Sequence, residues 1–185
     1  MGGTFDPIHN GHLVAASEAA SRYNLEKVIF VPTANSVFKH NKIVATQEHR
    51  YLMCVVATAA NPSFIVSRAD IDRGGTTYTI DTLQDIKKEY PEYELFFITG
   101  ADAVRDIESW NEYEKLFSLA KFVAVTRPGY SIDKKLTEKY GVDQLQVPAM
   151  AISSTDCRER AKSNKPIWYL VPDGVVQYIN KHQVY

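Results

Sequence analysis

Short apolar runs alternate along the chain with longer segments whose apolar positions fall three or four residues apart. Val28-Ile29-Phe30-Val31 is β-branched and apolar, and Pro32 stops it. Phe64-Ile65-Val66-Ser67 follows Asn61-Pro62, and Leu95-Phe96-Phe97-Ile98 ends at Gly100. Phe122-Val123-Ala124-Val125 runs toward Pro128-Gly129, and Leu145-Gln146-Val147 stops at Pro148. Runs this short and this continuously apolar predict strands buried on both faces, as in a parallel sheet. The segments between them predict helices. Leu13, Ala16, Ala20 and Tyr23 share one helical face, as do Ile80, Leu83 and Ile86 ahead of Pro91. Tyr113, Leu116, Phe117 and Ala120 form a third such face, and Val175, Tyr178, Ile179 and His182 a fourth. The longest apolar run, Tyr51–Ala60, reads as a buried helix. Residues 33–46 and 72–77 are polar and read as surface loops that a site could use. Strand and helix in alternation predict an α/β fold, a parallel sheet flanked by helices with right-handed crossovers. No repeat, low-complexity tract or linker divides the chain, so residues 1–185 read as one domain.

Composition narrows the partners. The 185 residues are 45% hydrophobic and 23% charged, ordinary for a globular protein, and long enough for a sizeable core. The formal net charge of −1 lacks the basic excess of a nucleic-acid-binding surface, so no nucleic-acid partner is expected. Cys54 and Cys157 are the two cysteines, without metal-ligand spacing, and read as free thiols in a reducing cytoplasm. No signal peptide is visible, and no apolar run is long enough to span a bilayer, so no membrane association is expected.

The chemistry concentrates at the start. Gly2-Gly3-Thr4-Phe5-Asp6-Pro7-Ile8-His9-Asn10-Gly11-His12 puts two glycines on an expected turn and then two histidines where a helix begins. A helix N-terminus offers free N–H groups and the positive end of a dipole to an anion. Gly2, Gly3 and Gly11 permit close approach, and His9 and His12, three apart, lie on one face where each can donate to a phosphate oxygen. Histidine is scarce, five in the chain, yet two fall here. Neither G-x-x-x-x-G-K-[ST] nor G-x-G-x-x-G occurs, which argues against an ordinary P-loop NTPase or dinucleotide dehydrogenase. A second cluster is Ile152-Ser153-Ser154-Thr155-Asp156-Cys157-Arg158. Ser153 and Asp156 suit a helix cap, while Ser154 and Arg158, four apart, share a face and add the positive charge that the first motif lacks. Read alone, this cluster is equally a well-capped amphipathic helix.

At these two motifs the chain resembles the HxGH nucleotidyltransferase superfamily, whose fold is Rossmann-like. The combination with three further stretches resembles the bacterial nicotinate-nucleotide adenylyltransferase family along essentially the whole chain. Tyr78-Thr79-Ile80-Asp81-Thr82-Leu83 is similar to the family's segment beside the nicotinate ring. Gly100-Ala101-Asp102 with Trp110 is similar to its adenosine-binding loop and the aromatic over the pyridine. Arg127-Pro128-Gly129-Tyr130 is similar to the segment whose arginine faces the mononucleotide. The family often shows Pro-Pro-His-Lys where this chain has Ser36-Val37-Phe38-Lys39, and an aromatic where it has Asn111.

The resemblance implies adenylyl transfer from ATP to nicotinate mononucleotide, with Mg²⁺ bridging the phosphates. It implies catalytic roles for His9, His12 and Arg158. It places Gly3, Thr4, Phe5, His12, Gly100, Asp102, Ile152, Ser153, Ser154 and Arg158 around ATP. It places Thr33, Lys39, Thr79, Trp110 and Arg127 at the mononucleotide. No protein-ligated metal is implied. Read from its surroundings alone, Trp110 is either packing or a stacking platform, and Asp102 either a helix cap or a ligand group. Transfer to another phosphate, such as phosphopantetheine, is a second enzymatic reading, which the Thr79 and Trp110 segments disfavour. A nucleotide sensor without turnover is a third. Oligomeric state stays open between monomer and homo-oligomer. In this fold a central strand of about five or six residues precedes the glycine pair. Only Met1 precedes it here, so that strand is expected to be missing and the natural start to lie upstream.

Overall fold

The computed structural model describes residues 1–36, 43–126, 129, 132–148 and 150–185. The centre of the sheet is β1 (Gly2–Gly3), which pairs in parallel with β2 (Val28–Pro32), Gly2 opposite Val31 and Gly3 opposite Pro32. The glycine pair is therefore extended strand and not the expected turn. The central position predicted to be missing is occupied by these two residues, and the Met1 carbonyl accepts from Val31 N–H at 3.0 Å.

The other neighbour of β2 is β4 (Phe64–Val66), also parallel, with Val28 opposite Phe64. A second parallel sheet runs β6 (Phe96–Gly100), β7 (Lys121–Thr126), β8 (Asp143–Gln146). β1 lies beside β6; a Cβ built on Gly2 would sit 3.5 Å from the Phe97 ring. Across the molecule the strands thus read β4, β2, β1, β6, β7, β8. The chain winds outward in one direction from β1 and in the other from β6, and such a reversal of order opens a crevice at the strands' carboxyl ends.

The predicted strands stand, with shifts that their exposure explains. β8 starts at Asp143, ahead of the expected Leu145, because only Leu145 of its four residues is buried and the pattern of an edge strand is weak. The stretches read as loops contain β3 (Asn35–Ser36) and β5 (Thr76–Thr77), which pair in parallel. Two-residue strands have too few positions to show a period.

Helices cover the sheets. α1 (Asn10–Arg22) is alanine-rich, which favours helix, and its buried Ala15, Ala16 and Ala19 let it lie close to the strands. α2 (Gln47–Thr58) is capped by Thr46, whose hydroxyl accepts from His49 N–H. The buried helix expected over its apolar run is buried on one side only: Met53 and Cys54 face inward while Leu52, Val55 and Val56 face solvent. α3 (Ala69–Arg73) and α4 (Thr79–Glu89) follow β4, and α4 buries the predicted Ile80, Leu83 and Ile86. α5 (Ala101–Val104), a 3-10 turn (Ile107–Ser109) and α6 (Tyr113–Leu119) link β6 to β7. α7 (Lys134–Tyr140), α8 (Ser154–Lys162) and α9 (Asp173–His182) complete the chain. One core gathers Phe30, Met53 and Val176 between β2 and the helices α2 and α9; another gathers Phe122, Leu116 and Val104 around β7. Full burial of side chains of this size contributes roughly 1.5–3 kcal/mol each.

Candidate active site

The loop leaving β1 carries the first motif. It turns at Phe5, whose φ of 51° lies in the left-handed region, and passes a cis Asp6–Pro7 bond into α1. The Phe5 ring is buried against Phe30, with an edge contact to His12 at 5.1 Å. Gly3 is explained by that ring: a Cβ there would lie 2.9 Å from Phe5. His9 holds the N-cap position of α1. Its backbone N–H donates to His12 Nδ1 at 3.1 Å, and the two imidazoles stack with centroids 3.6 Å apart. An accepting Nδ1 leaves the proton of a neutral His12 on Nε2, an N–H donor. Gly11 also answers to a side chain, because a Cβ there would meet the His9 ring at 3.1 Å.

The second motif docks on this loop. Ser153 caps α8, accepting from Asp156 N–H at 3.1 Å. Ser154 Oγ donates to the Pro7 carbonyl at 2.9 Å, and Arg158 Nη1 donates to the Asp6 carbonyl at 2.7 Å. One arm of the Arg158 guanidinium is therefore tied to the main chain, and its charge is fixed beside the loop. Ile152 is buried in the core and offers a ligand its backbone only.

Thr33, just past β2, lies alongside: its N–H donates to the Gly3 carbonyl at 3.0 Å. Its Oγ1 is buried and has no hydrogen-bond partner among the described residues. The next amide, Ala34 N–H, donates to Thr77 Oγ1 at 3.0 Å, and β3 pairs with β5, so Thr79 at the start of α4 is drawn to the same side as Thr33. Past β6, Gly100 is the N-cap of α5, so the exposed Asp102 is not the capping residue. Asp102 folds back instead, and a Cβ on Gly100 would collide with its carboxylate at 2.4 Å. Trp110 is half-buried, one edge packed on Phe97 at 6.2 Å between centroids. It thus packs, and part of it remains open to a ligand. Lys39 and Arg127 lie outside the described residues.

Two residues that tie these parts together were not singled out from the sequence. Arg50, 0% exposed, donates to the carbonyls of Thr4, Thr33 and Ala34. Burial lowers its pKa, and the Asp6 carboxylate works against that. Asp6, 2% exposed, accepts from Val44 N–H at 2.8 Å, Ala45 N–H at 3.1 Å and the Tyr185 hydroxyl at 2.8 Å. Burial, and then Asp6, push the Tyr185 phenol above its ordinary range. The signals were faint: a charged Arg50 abutting an apolar run, and an Asp-Pro inside a glycine-rich motif.

A groove of about 650 Å³, lined by Ala34, Asn35, Ala45, Arg50 and Arg68, lies on the Thr33 side. Another of about 710 Å³ is lined by Arg160, Trp168, Tyr169 and Asp173. Neither is lined by His9 or His12. Among the described residues, no helix is long and apolar enough to cross a membrane.

Residues 1–160 match the family described as Cytidylyltransferase-like. A relative named Probable nicotinate-nucleotide adenylyltransferase, from Corynebacterium glutamicum, is 61% identical over 188 residues, covering 100% of this chain and 86% of that protein. One of the same name from Corynebacterium jeikeium is also 61% identical, covering 100% and 98%. The chain belongs to the nicotinate-nucleotide adenylyltransferase family. It is a nucleotidyltransferase by that membership. Among solved structures it is similar to the Plasmodium falciparum nicotinic acid mononucleotide adenylyltransferase complexed with NaAD. The TM-score is 0.82 at 23% identity, over 100% of this chain and 94% of that one. At that identity the likeness shows the fold alone, and it agrees with the strand order described above.

Proposed function

We propose that the chain transfers the adenylyl group of ATP to the 5′-phosphate of nicotinate mononucleotide, releasing pyrophosphate and deamido-NAD. The observation that carries this reading is the meeting of three strand ends at one crevice. The loop after β1 brings His12, the loop after β2 brings Thr33, and the loop after β6 brings Gly100 and Asp102, with α8 docked on the first. Family membership supplies the reaction class.

The nucleophile is a phosphate oxygen, ionised at neutral pH, so no strong base is required. It attacks the α-phosphorus in line; a new P–O bond forms as the bond to the bridging oxygen breaks, and pyrophosphate leaves with the electron pair. Positioning and charge stabilisation suffice for such a step. His12 Nε2–H, His9 and Arg158 face the developing charge. Gly3, Thr4, Phe5, Gly100, Asp102, Ile152, Ser153 and Ser154 surround ATP in this reading, Phe5 and Ile152 through their backbone. Thr33, Thr79 and Trp110 face the mononucleotide in this reading, and the family resemblance assigns Lys39 and Arg127 to it as well; the buried Thr33 hydroxyl, without a hydrogen-bond partner among the described residues, suits that role.

A Mg²⁺ ion, where ATP brings one, would be held by the phosphates and not by a dedicated set of side chains. Asp6 does not suit it, because both carboxylate oxygens already accept hydrogen bonds. Among the described residues, no group of three or more His, Cys, Asp and Glu forms a metal site. The bound ion would offset charge on the phosphates. The reaction belongs in the cytoplasm, where the buried Cys54 and Cys157 stay reduced. Pyrophosphate release measured with ATP and either nicotinate mononucleotide or phosphopantetheine tests the reading. Turnover with the first is expected; turnover with phosphopantetheine alone overturns it.

A further inference from the structure

Among the described residues Arg50 is the largest fully buried side chain and forms no ion pair, the Asp6 carboxylate acting on it only at longer range. Burying a guanidinium is costly, and an apolar side chain would fill the same space more cheaply. The geometry says what the charge is used for. Nη1 donates to the Thr4 carbonyl at 2.8 Å, past the end of β1. Nη2 donates to the Thr33 and Ala34 carbonyls at 2.7 and 2.9 Å, past the end of β2. One rigid, planar group therefore spans two loops, and its fork fixes the distance between them. Asp6 repeats the arrangement from the other side: it belongs to the first loop and accepts from Val44 and Ala45, where the second loop returns. The second loop is held to the first at both of its ends.

We infer that Arg50 is a positioning residue that sets the register of the two substrates against each other. It holds the ATP loop and the mononucleotide loop at the separation that in-line attack requires. This rests on the reading of Thr4 and Thr33 given under the proposed function. Each loop keeps its own ligand contacts without Arg50, and what is lost is their mutual alignment. Misplacement of about 1 Å from a distant residue costs on the order of 10²-fold in rate.

Arg50→Lys is the test, because an ammonium cannot span three carbonyls as the fork does. The expected result is a kcat lower by about 10²-fold per folded molecule. The separate affinities for a non-hydrolysable ATP analogue and for nicotinate mononucleotide, by calorimetry, move by less than about tenfold. Deamido-NAD, which must reach both loops at once, loses more affinity than either part. A kcat per folded molecule equal to wild type overturns the inference, as does a loss shared equally by all three ligands. Arg50→Gln, which keeps two donors without charge, replaces the lysine variant if that does not fold. Failure of both to fold assigns Arg50 to the core and also overturns it. A wild-type protein that turns over neither substrate removes the functional reading itself, a separate outcome.

Discussion

His12 has one ring nitrogen fixed by the main chain. The bond from His9 N–H to Nδ1 orients the ring, which leaves the proton of a neutral imidazole on Nε2, the donor that the proposed function uses. His12→Ala should therefore lower kcat by about 10²–10³-fold, the usual effect of losing one charge-stabilising donor. Its circular dichroism should match wild type; near-normal pyrophosphate release would refute the assignment. Trp110 divides differently, with one edge serving the core. Trp110→Ala should raise KM for the mononucleotide more than for ATP, with some loss of thermal stability; a KM change confined to ATP would contradict the stacking role. The histidines, Ser154 and Arg158 were legible as local spacing. Arg50 and Asp6 were not, because their meaning lies in contacts with Thr4, Thr33 and Val44, 17 to 46 positions away, and no local period records such a contact.

Elements were legible in proportion to how much apolar surface they bury. β2, β6 and β7 are flanked on both faces and announce themselves as apolar runs. α7 buries no residue and gave no periodic signal. β3 and β5 are too short to show one, yet they draw Thr33 and Thr79 to one side. α8 is the element on which the first loop depends most, since Ser154 and Arg158 both hold main-chain carbonyls of that loop. Its cap is one hydroxyl. Ser153→Ala should cost about 1 kcal/mol of stability, read from denaturant unfolding. It should lower kcat as well, because a frayed first turn loosens the loop; unchanged values of both would show that the cap does not hold this end.

Across the whole molecule, the reversal of strand order between β1 and β6 puts loops that are distant in the chain side by side. The interior also shields two thiols. Burial pushes the Cys157 thiol up to about 11 from an ordinary value near 9, and raises that of Cys54 further. Both should resist iodoacetamide at pH 8 until the protein unfolds, as mass spectrometry would record; rapid labelling of the native protein would contradict the packing. The sign of the pH effect follows. The unfolded chain loses the Cys157 proton from pH 9 upward while the folded chain keeps it to about 11, so stability falls across that window as pH rises. Cys157→Ala should flatten the decline measured by thermal unfolding at alkaline pH.

Gly3 leaves room that the Phe5 ring occupies, since a Cβ there would sit 2.9 Å from that ring, and Gly11 lies more loosely against His9, at 3.1 Å. Selection then acts on pairs and not on letters. In a library randomised at positions 3 and 5, alanine should survive at 3 only beside a smaller residue at 5. A smaller residue at 5 would open position 3 to alanine, so the two positions would change together.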